Sequence, residues 1–385
     1  VRHMGQIKLE QRVRYPPFEP GRFEPSELPI ATQTTTVLRD VSPKKIVEAM
    51  ETVTPSFCLG NEKSWLIEQR YIYQGEVFDD ANIKRPTSFV ELGKIPRIVK
   101  LHRQGWYLTP NPIHRAVRRF MSFSVMVLLL GLAYLSIEPL LDAMGIPGVG
   151  TGTVRIGLLD YPALTLIIVP LLLAPLLFRA GANFFDLVNQ RAFLRSAPDD
   201  PVIILSETPM AGKPLSVQIE FPERRENWSN IEVMWRVGVL PPAREDVFQT
   251  LGRSHQSQPP PGLTTALPHH WEVGLDDGTG GGEESPMEHH EVKGGLFLRP
   301  MRVMEFGGRV PWSSAQLVLE APQQPWPGTV STPLIRIHWE LLIRIERPKG
   351  GSLMFVKPIA VAHPTIPVHI ESLPTNDGRT ESDQL

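Results

Sequence analysis

The sequence predicts a membrane-anchored multidomain protein. A two-helix transmembrane hairpin is set between a small mixed α/β N-terminal region and a C-terminal all-β antiparallel sandwich. Three observations carry this. Two apolar runs, Phe120–Ile137 and Tyr161–Phe178, contain no charge. Arginines crowd the approach to the first run and thin out between the two. From Pro201 onward, apolar residues recur at every second position in place of the helical period.

Each apolar run has 18 residues, with ten Leu, Ile, Val or Phe in the first and eleven in the second. At the bilayer centre ten such residues favour insertion by about 3–6 kcal/mol. Eighteen residues is near the lower limit for crossing about 30 Å of hydrocarbon, so the spans are expected over about 120–138 and 161–179. Pro170 and Pro175 fall inside the second run, where a kinked helix is tolerated if neighbours satisfy the freed carbonyls. Phe184, Phe185, Val188 and Ala192 share one helical face beyond it. That pattern suggests an interfacial amphipathic helix trailing the hairpin, which as a whole covers 113–195; a simple cap on the next domain fits equally.

Orientation follows from the flanks. Lys94, Arg97, Lys100, Arg103, Arg115, Arg118 and Arg119 precede the first span without an intervening carboxylate. The connector from Glu138 to Asp160 carries Arg155 alone as a cation, and Arg179, Arg191 and Arg195 follow the second span. Positive charge is retained inside, so both termini are expected in the cytoplasm of a bacterium, with a multi-pass chain in its inner membrane. Arg115, Arg118, Arg119 and Arg179 are the candidate orientation residues and headgroup contacts. Trp106 and Tyr107, among those cations, read either as interfacial anchors or as ordinary packing.

Residues 1–40, with the echo FEPGRFEP, read as an extended proline-rich arm. A small mixed cytoplasmic domain is expected over 41–112. It has a helix start at Ser42–Pro43, an apolar stripe of Ile46, Val47, Met50 and Val53, and a strand in WLIEQRYIYQGEVF. The sandwich is expected over 200–365, with strands at 202–205, 215–221, 231–239, 296–306, 315–321, 334–347 and 353–361, a long loop insertion at 241–295, and a polar tail at 366–385. In LIRIHWELLIRIER, Ile337, Trp339, Leu341 and Ile343 alternate with Arg336, His338, Glu340 and Arg344. One face is expected buried and the other wet.

The runs RVPWSSAQLVLEAP, PGTVSTPLIRIHWELLIRIE and MFVKPIAV resemble the later strands of arrestin-like, immunoglobulin-like sandwiches. The resemblance covers about 55 residues. It implies a binding or scaffolding module without catalysis.

Several chemistries lack their residues. One cysteine, Cys58, excludes an internal disulfide and any CxxC site. It reads as a buried small residue. A net charge of −2 offers no basic field for nucleic acid. The spans carry no interior Asp, Glu, Lys, Arg or His, which argues against a transporter, a proton relay or a pigment ligated within the bilayer. GVGTG at 148–152 lacks the strand and the GK[ST] of a phosphate loop. His255, His269, His270, His289 and His290 lack helical metal-ligand spacing and read as a polar loop. No cofactor, metal, small-molecule substrate or cleavable signal peptide is expected. The expected role is a non-catalytic accessory or scaffold subunit of a large bacterial membrane complex, of respiratory or photosynthetic type, partnered by integral membrane subunits and lipids. Two alternatives stay open: a free membrane-tethered arrestin-like adaptor, and a metal-dependent membrane hydrolase using the histidine-rich insertion.

Overall fold

Alternating apolar residues make most of this protein β structure. The computed structural model describes residues 5–15, 24–86, 91–108, 113–146, 152–240, 244–252, 301–348 and 352–374. In chain order the first elements are β1 (Gly5–Arg14), β2 (Ala31–Val41), α1 (Ile46–Met50), β3 (Phe57–Gly60), β4 (Leu66–Tyr73) and β5 (Glu76–Phe78). Then come α2 (Arg97–Arg103), β6 (Gly105–Leu108), α3 (Ile113–Ala143), β7 (Thr153–Ile156), β8 (Leu159–Pro162) and α4 (Ala163–Arg195). The C-terminal elements are β9 (Val202–Leu205), β10 (Leu215–Glu220), β11 (Asn230–Val239), α5 (Arg244–Leu251), β12 (Arg302–Pro311) and β13 (Gln316–Leu319). They end with β14 (Val330–Ser331), β15 (Arg336–Glu346), β16 (Leu353–Ile359) and β17 (Val368–Ile370).

Within the expected proline-rich arm, Gly5–Arg14 and most of Ala31–Val41 are strands of a sheet, while residues 16–23, with most of FEPGRFEP, lie outside the described residues. The order of that sheet is β17-β3-β4-β1-β2, with β5 on β4. Ile7, Gln11 and Val13 are buried, while Gln6 and Lys8 are exposed and Glu10 and Arg12 half-buried, the period-2 pattern of a half-buried strand. Tyr15, just past β1, is buried and its hydroxyl donates to the Leu334 carbonyl at 2.6 Å. WLIEQRYIYQGEVF forms two strands, β4 and β5, joined by a two-residue turn at Gln74 (φ 53) and Gly75 (φ 91). Positive φ at both positions is the type I′ geometry that matches strand twist.

A second sheet runs β12-β11-β15-β16-β6, with β14 on β15, and a third runs β13-β10-β9. Six of the seven C-terminal strands begin within two residues of their expected positions; β12 begins at Arg302 and runs to Pro311. The third sheet keeps its alternation: Leu215, Val217, Ile219, Leu317 and Leu319 are buried, whereas Val202, Ile204 and Val318 are exposed. Hydrogen bonds tie it to the second sheet. The Trp312 indole donates to the Ile219 carbonyl at 3.3 Å, and the Lys357 ammonium to the Ile203 carbonyl at 2.8 Å.

The division into an N-terminal domain and a separate sandwich is corrected by strand pairing. β6 pairs with β16 antiparallel, from Gly105↔Val356 to Leu108↔Leu353. β17, within the expected polar tail, pairs in parallel with β3. Val1–Thr109 and Ser196–Leu385 therefore form one unit, and Pro110–Arg195 is a second unit inserted into its sequence.

That insertion holds α3 and α4, which contact each other along a hairpin with Phe120 against Phe178, ring centroids 6.1 Å apart. Both are longer than the expected spans. α4 runs unbroken past Arg179, so the expected interfacial helix is the last turns of the same helix, and Pro139, Pro170 and Pro175 lie within the helices.

Gly60 sits at φ +86 where β3 meets β4, and a Cβ there would lie 1.9 Å from the Trp65 carbonyl oxygen. Gly75 shares the left-handed backbone but faces open space. Gly75→Ala is expected to cost roughly 1–2 kcal/mol of backbone strain, and Gly60→Ala at least about 3 kcal/mol because overpacking adds to it. Urea titration of the two variants measures the difference.

Candidate functional site

Two places concentrate chemistry-bearing or unpartnered residues, and the first lies beneath α2. This seven-residue helix presents Arg97 and Lys100 to solvent and buries Val99 and Arg103. Val99 packs with Leu240, Met301 and Val303, while Tyr107, Met234, Leu342, Met354 and Val356 pack as a neighbouring cluster. Both clusters cover the second face of the β11-β15-β16 sheet. The expectation that one face of β15 is wet is thereby overturned: His338, Glu340 and Leu342 are all buried. Leu341 and Leu342 are adjacent, which puts a leucine on each face. This was a local sign that neither face is fully solvated.

Glu340 is the hub of this face. Arg236 is its register partner on β11, and Arg103 reaches it from α2. Arg103 Nε donates to Glu340 Oε2 at 3.0 Å and Nη2 to Oε1 at 2.9 Å, a bidentate pair. Arg236 Nε and Nη2 lie 2.8 and 2.6 Å from Oε1. His338 Nε2 lies 3.2 Å from Oε2. Burial alone would raise the Glu340 carboxyl, but the two guanidinium groups and the His338 contact hold it well below the usual carboxylate range. Burial, reinforced by those two cations, pushes His338 down despite Glu340. With the carboxylate ionised and the imidazole neutral, His338 donates from an Nε2–H tautomer. A carboxylate engaged by three side chains and closed to solvent cannot move protons for a substrate; this cluster fastens α2 to the sheet.

The second place is the helical hairpin. Residues Arg119–Ala143 and Ile168–Phe193 are long and apolar enough to cross a membrane, by length and composition, and in an 18-residue apolar stretch of each 6% and 11% of the residues are buried. Phe123, Leu129, Leu130, Leu132, Leu172, Leu176 and Phe178 are all exposed. A core helix of a soluble protein would bury such a face.

The candidate orientation residues separate. Arg119 is exposed and Arg179 is half-buried. Arg115 and Arg118 lie in the first turns of α3, and their side chains fall outside the described residues. Trp106 and Tyr107 take the packing alternative. Trp106 is buried in β6 with its ring 5.1 Å from Phe355 and 6.0 Å from Trp228, and Tyr107 is buried on the opposite face. Neither ring is available to a lipid interface. Arg103, counted with the cations before the first span, is committed to Glu340.

Cys58 is half-buried, and burial pushes its thiol up to about 11, which keeps it protonated near neutrality. Among the described residues no group of three or more His, Cys, Asp or Glu is placed to hold a metal. The five histidines of the 241–295 insertion and residues 148–151 of GVGTG lie outside the described residues. Compared with known proteins, the chain matches no protein-family model and no curated protein sequence.

Removing the hub should cost more than removing a spoke. Glu340→Gln removes the buried negative charge that faces two buried guanidinium groups and is expected to cost about 3–5 kcal/mol. Arg103→Leu leaves Glu340 paired with Arg236 and is expected to cost less, while raising amide exchange across residues 97–108. Denaturant titration and hydrogen exchange measure the two effects.

Acid should weaken the fold through its buried histidines. Burial pushes His363 down to about 4, with its Nδ1 accepting from the Gly328 amide at 3.3 Å. The unfolded histidine takes up a proton as pH falls through about 6.5 while the folded one stays neutral. Stability is therefore full above that pH and falls toward pH 4, by about 3 kcal/mol from His363 at the limit. His338 acts in the same direction. His363→Gln is expected to flatten the dependence of urea midpoint on pH between 6.5 and 4.

Proposed function

We propose that this chain is a non-catalytic accessory subunit of a membrane protein complex. Its helical hairpin lies among partner helices in the bilayer, and its β unit clamps surfaces on the cytoplasmic side. The observation that carries the reading is the exposure of apolar residues along both helices of the hairpin. Lipid or partner helices are the surroundings in which such faces are stable.

Strand pairing supports an even number of crossings. The hairpin is inserted between β6 and β9, and β6 is hydrogen-bonded to β16, far beyond the insertion. Strands of one sheet lie on one side of a bilayer, so the segments before 110 and after 195 share a compartment. Exposed Lys94, Arg97, Lys100 and Arg119, with Arg115 and Arg118, outnumber the single Arg155 of the connector. This bias supports cytoplasmic termini without the contribution of Arg103.

The arrestin-like reading of the C-terminal sheets as a sandwich places recognition on the exposed face bearing Val202, Ile204 and Val318. That is the feature through which an adaptor would recruit soluble partners.

Alkaline carbonate extraction of native membranes is expected to leave the full chain in the pellet, and mild detergent to release it in a species far larger than itself. Release by carbonate would overturn the anchor. Migration as a lone monomer, under conditions that keep known complexes whole, would overturn the subunit reading and leave the anchor standing.

A further inference from the structure

The connector between α3 and α4 carries a small amphipathic ribbon of its own. β7 and β8 pair antiparallel, with Val154↔Tyr161, Arg155↔Asp160 and Ile156↔Leu159 in register. Successive pairs of a ribbon point to opposite faces. Val154, Ile156, Leu159 and Tyr161 therefore share one face, and Thr153, Arg155 and Asp160 share the other. The two-residue turn places Gly157 at φ 62 in its first position, the requirement of a type II′ hairpin turn. Its second position holds Leu158, 93% exposed. A polar residue would serve a solvated turn better.

Among the described residues of this unit the apolar face stays open: Val154 is 41%, Ile156 52% and Leu159 61% exposed. A lone two-stranded ribbon is marginal in water, and among the described residues no third strand pairs with this one. It is nevertheless held to the hairpin, because the Ala163 amide, at the start of α4, donates to the Gly152 carbonyl at 2.7 Å. Exposed apolar side chains continue into it from the end of α3, through Leu140, Met144 and Ile146.

We propose that the β7–β8 ribbon is an interfacial foot, seated in the phospholipid headgroup layer of the leaflet opposite the β unit. The proposal rests on the membrane reading above and adds a lipid site to it. Two constraints select that depth. The outer edges of a two-stranded ribbon leave backbone N–H and C=O groups unpaired, which hydrocarbon does not tolerate. The Val154–Leu159 face and Leu158 are poorly suited to water. At the headgroup boundary the apolar face meets acyl chains, Tyr161 lies where aromatic residues gather, and Arg155 and Asp160 face water and phosphate. The foot thus resists withdrawal of the hairpin through the bilayer.

The test uses the full chain in a Cys58→Ser background, with single cysteines introduced by Leu158→Cys, Arg155→Cys or Leu130→Cys. Each is labelled with an environment-sensitive fluorophore and reconstituted in phosphatidylcholine–phosphatidylglycerol vesicles. The label at 158 is expected to lose emission to nitroxides near the glycerol end of the acyl chain, and the label at 155 to aqueous iodide. The label at 130 should respond to nitroxides deep in the chain. Iodide quenching at 158 equal to that at 155, with 130 still lipid-buried, overturns the foot and spares the anchor. Shielding of 158 from both quenchers, with crosslinking between copies, also overturns it, in favour of a protein occupant. Iodide quenching at 130 takes down the anchor and the foot together.

Discussion

The pairing of Gly105–Leu108 with Leu353–Val356 constrains everything else in this protein. It joins the residues immediately before the helical hairpin to a strand more than 150 residues beyond it. The hairpin thereby becomes an insertion into one folded unit. Reciprocal pairing of Val368–Ile370 with Phe57–Leu59 closes the same unit from its C-terminal end. Both joints are short, and short edge strands hold poorly by backbone hydrogen bonds alone. β6 is reinforced from both sides, by Trp106 against Phe355 and Trp228, and by Tyr107 among Met234, Leu342 and Met354.

The ionic cluster under α2 belongs to the same joint. α2 is one residue from β6, and its Arg103 is locked to Glu340 in the middle of the sheet. Hydrophobic side chains could have filled this space at equal or lower free energy. What the bidentate pair adds is register: it accepts one position of α2 over the strands and rejects neighbouring ones, since any slip leaves charge buried without a partner. The lock sits beside β6, so it fixes that four-residue edge strand on the sheet as well as α2.

Much of the β structure was legible locally. The apolar runs at 202–205, 215–221, 231–239 and 334–347 placed β9, β10, β11 and β15 closely: β10 records its one buried face in every second residue, while β11 and β15 are buried on both faces over most of their length. The apolar helices were equally plain, as uninterrupted hydrophobicity is the solvent requirement of the helix written into its sequence. β1 had left a trace too, in Ile7, Leu9 and Val13 alternating with Lys8, Glu10 and Arg12, beside prolines that pointed to an arm. β6 and β17, at four and three residues, are too short for a period to show.

What the sequence determined alone is the repertoire: two lipid-compatible helices, a β-rich remainder, and a cation bias across the first. Each is a local property, carried by composition or by spacing within about twenty residues. The tertiary structure decided which strands share a sheet, that Gly5–Arg14 and Ala31–Val41 belong to one, and that Arg103, Trp106 and Tyr107 serve packing. Those outcomes depend on partners such as Glu340, 237 residues from Arg103, and no local pattern encodes a contact whose other half lies beyond the inserted hairpin.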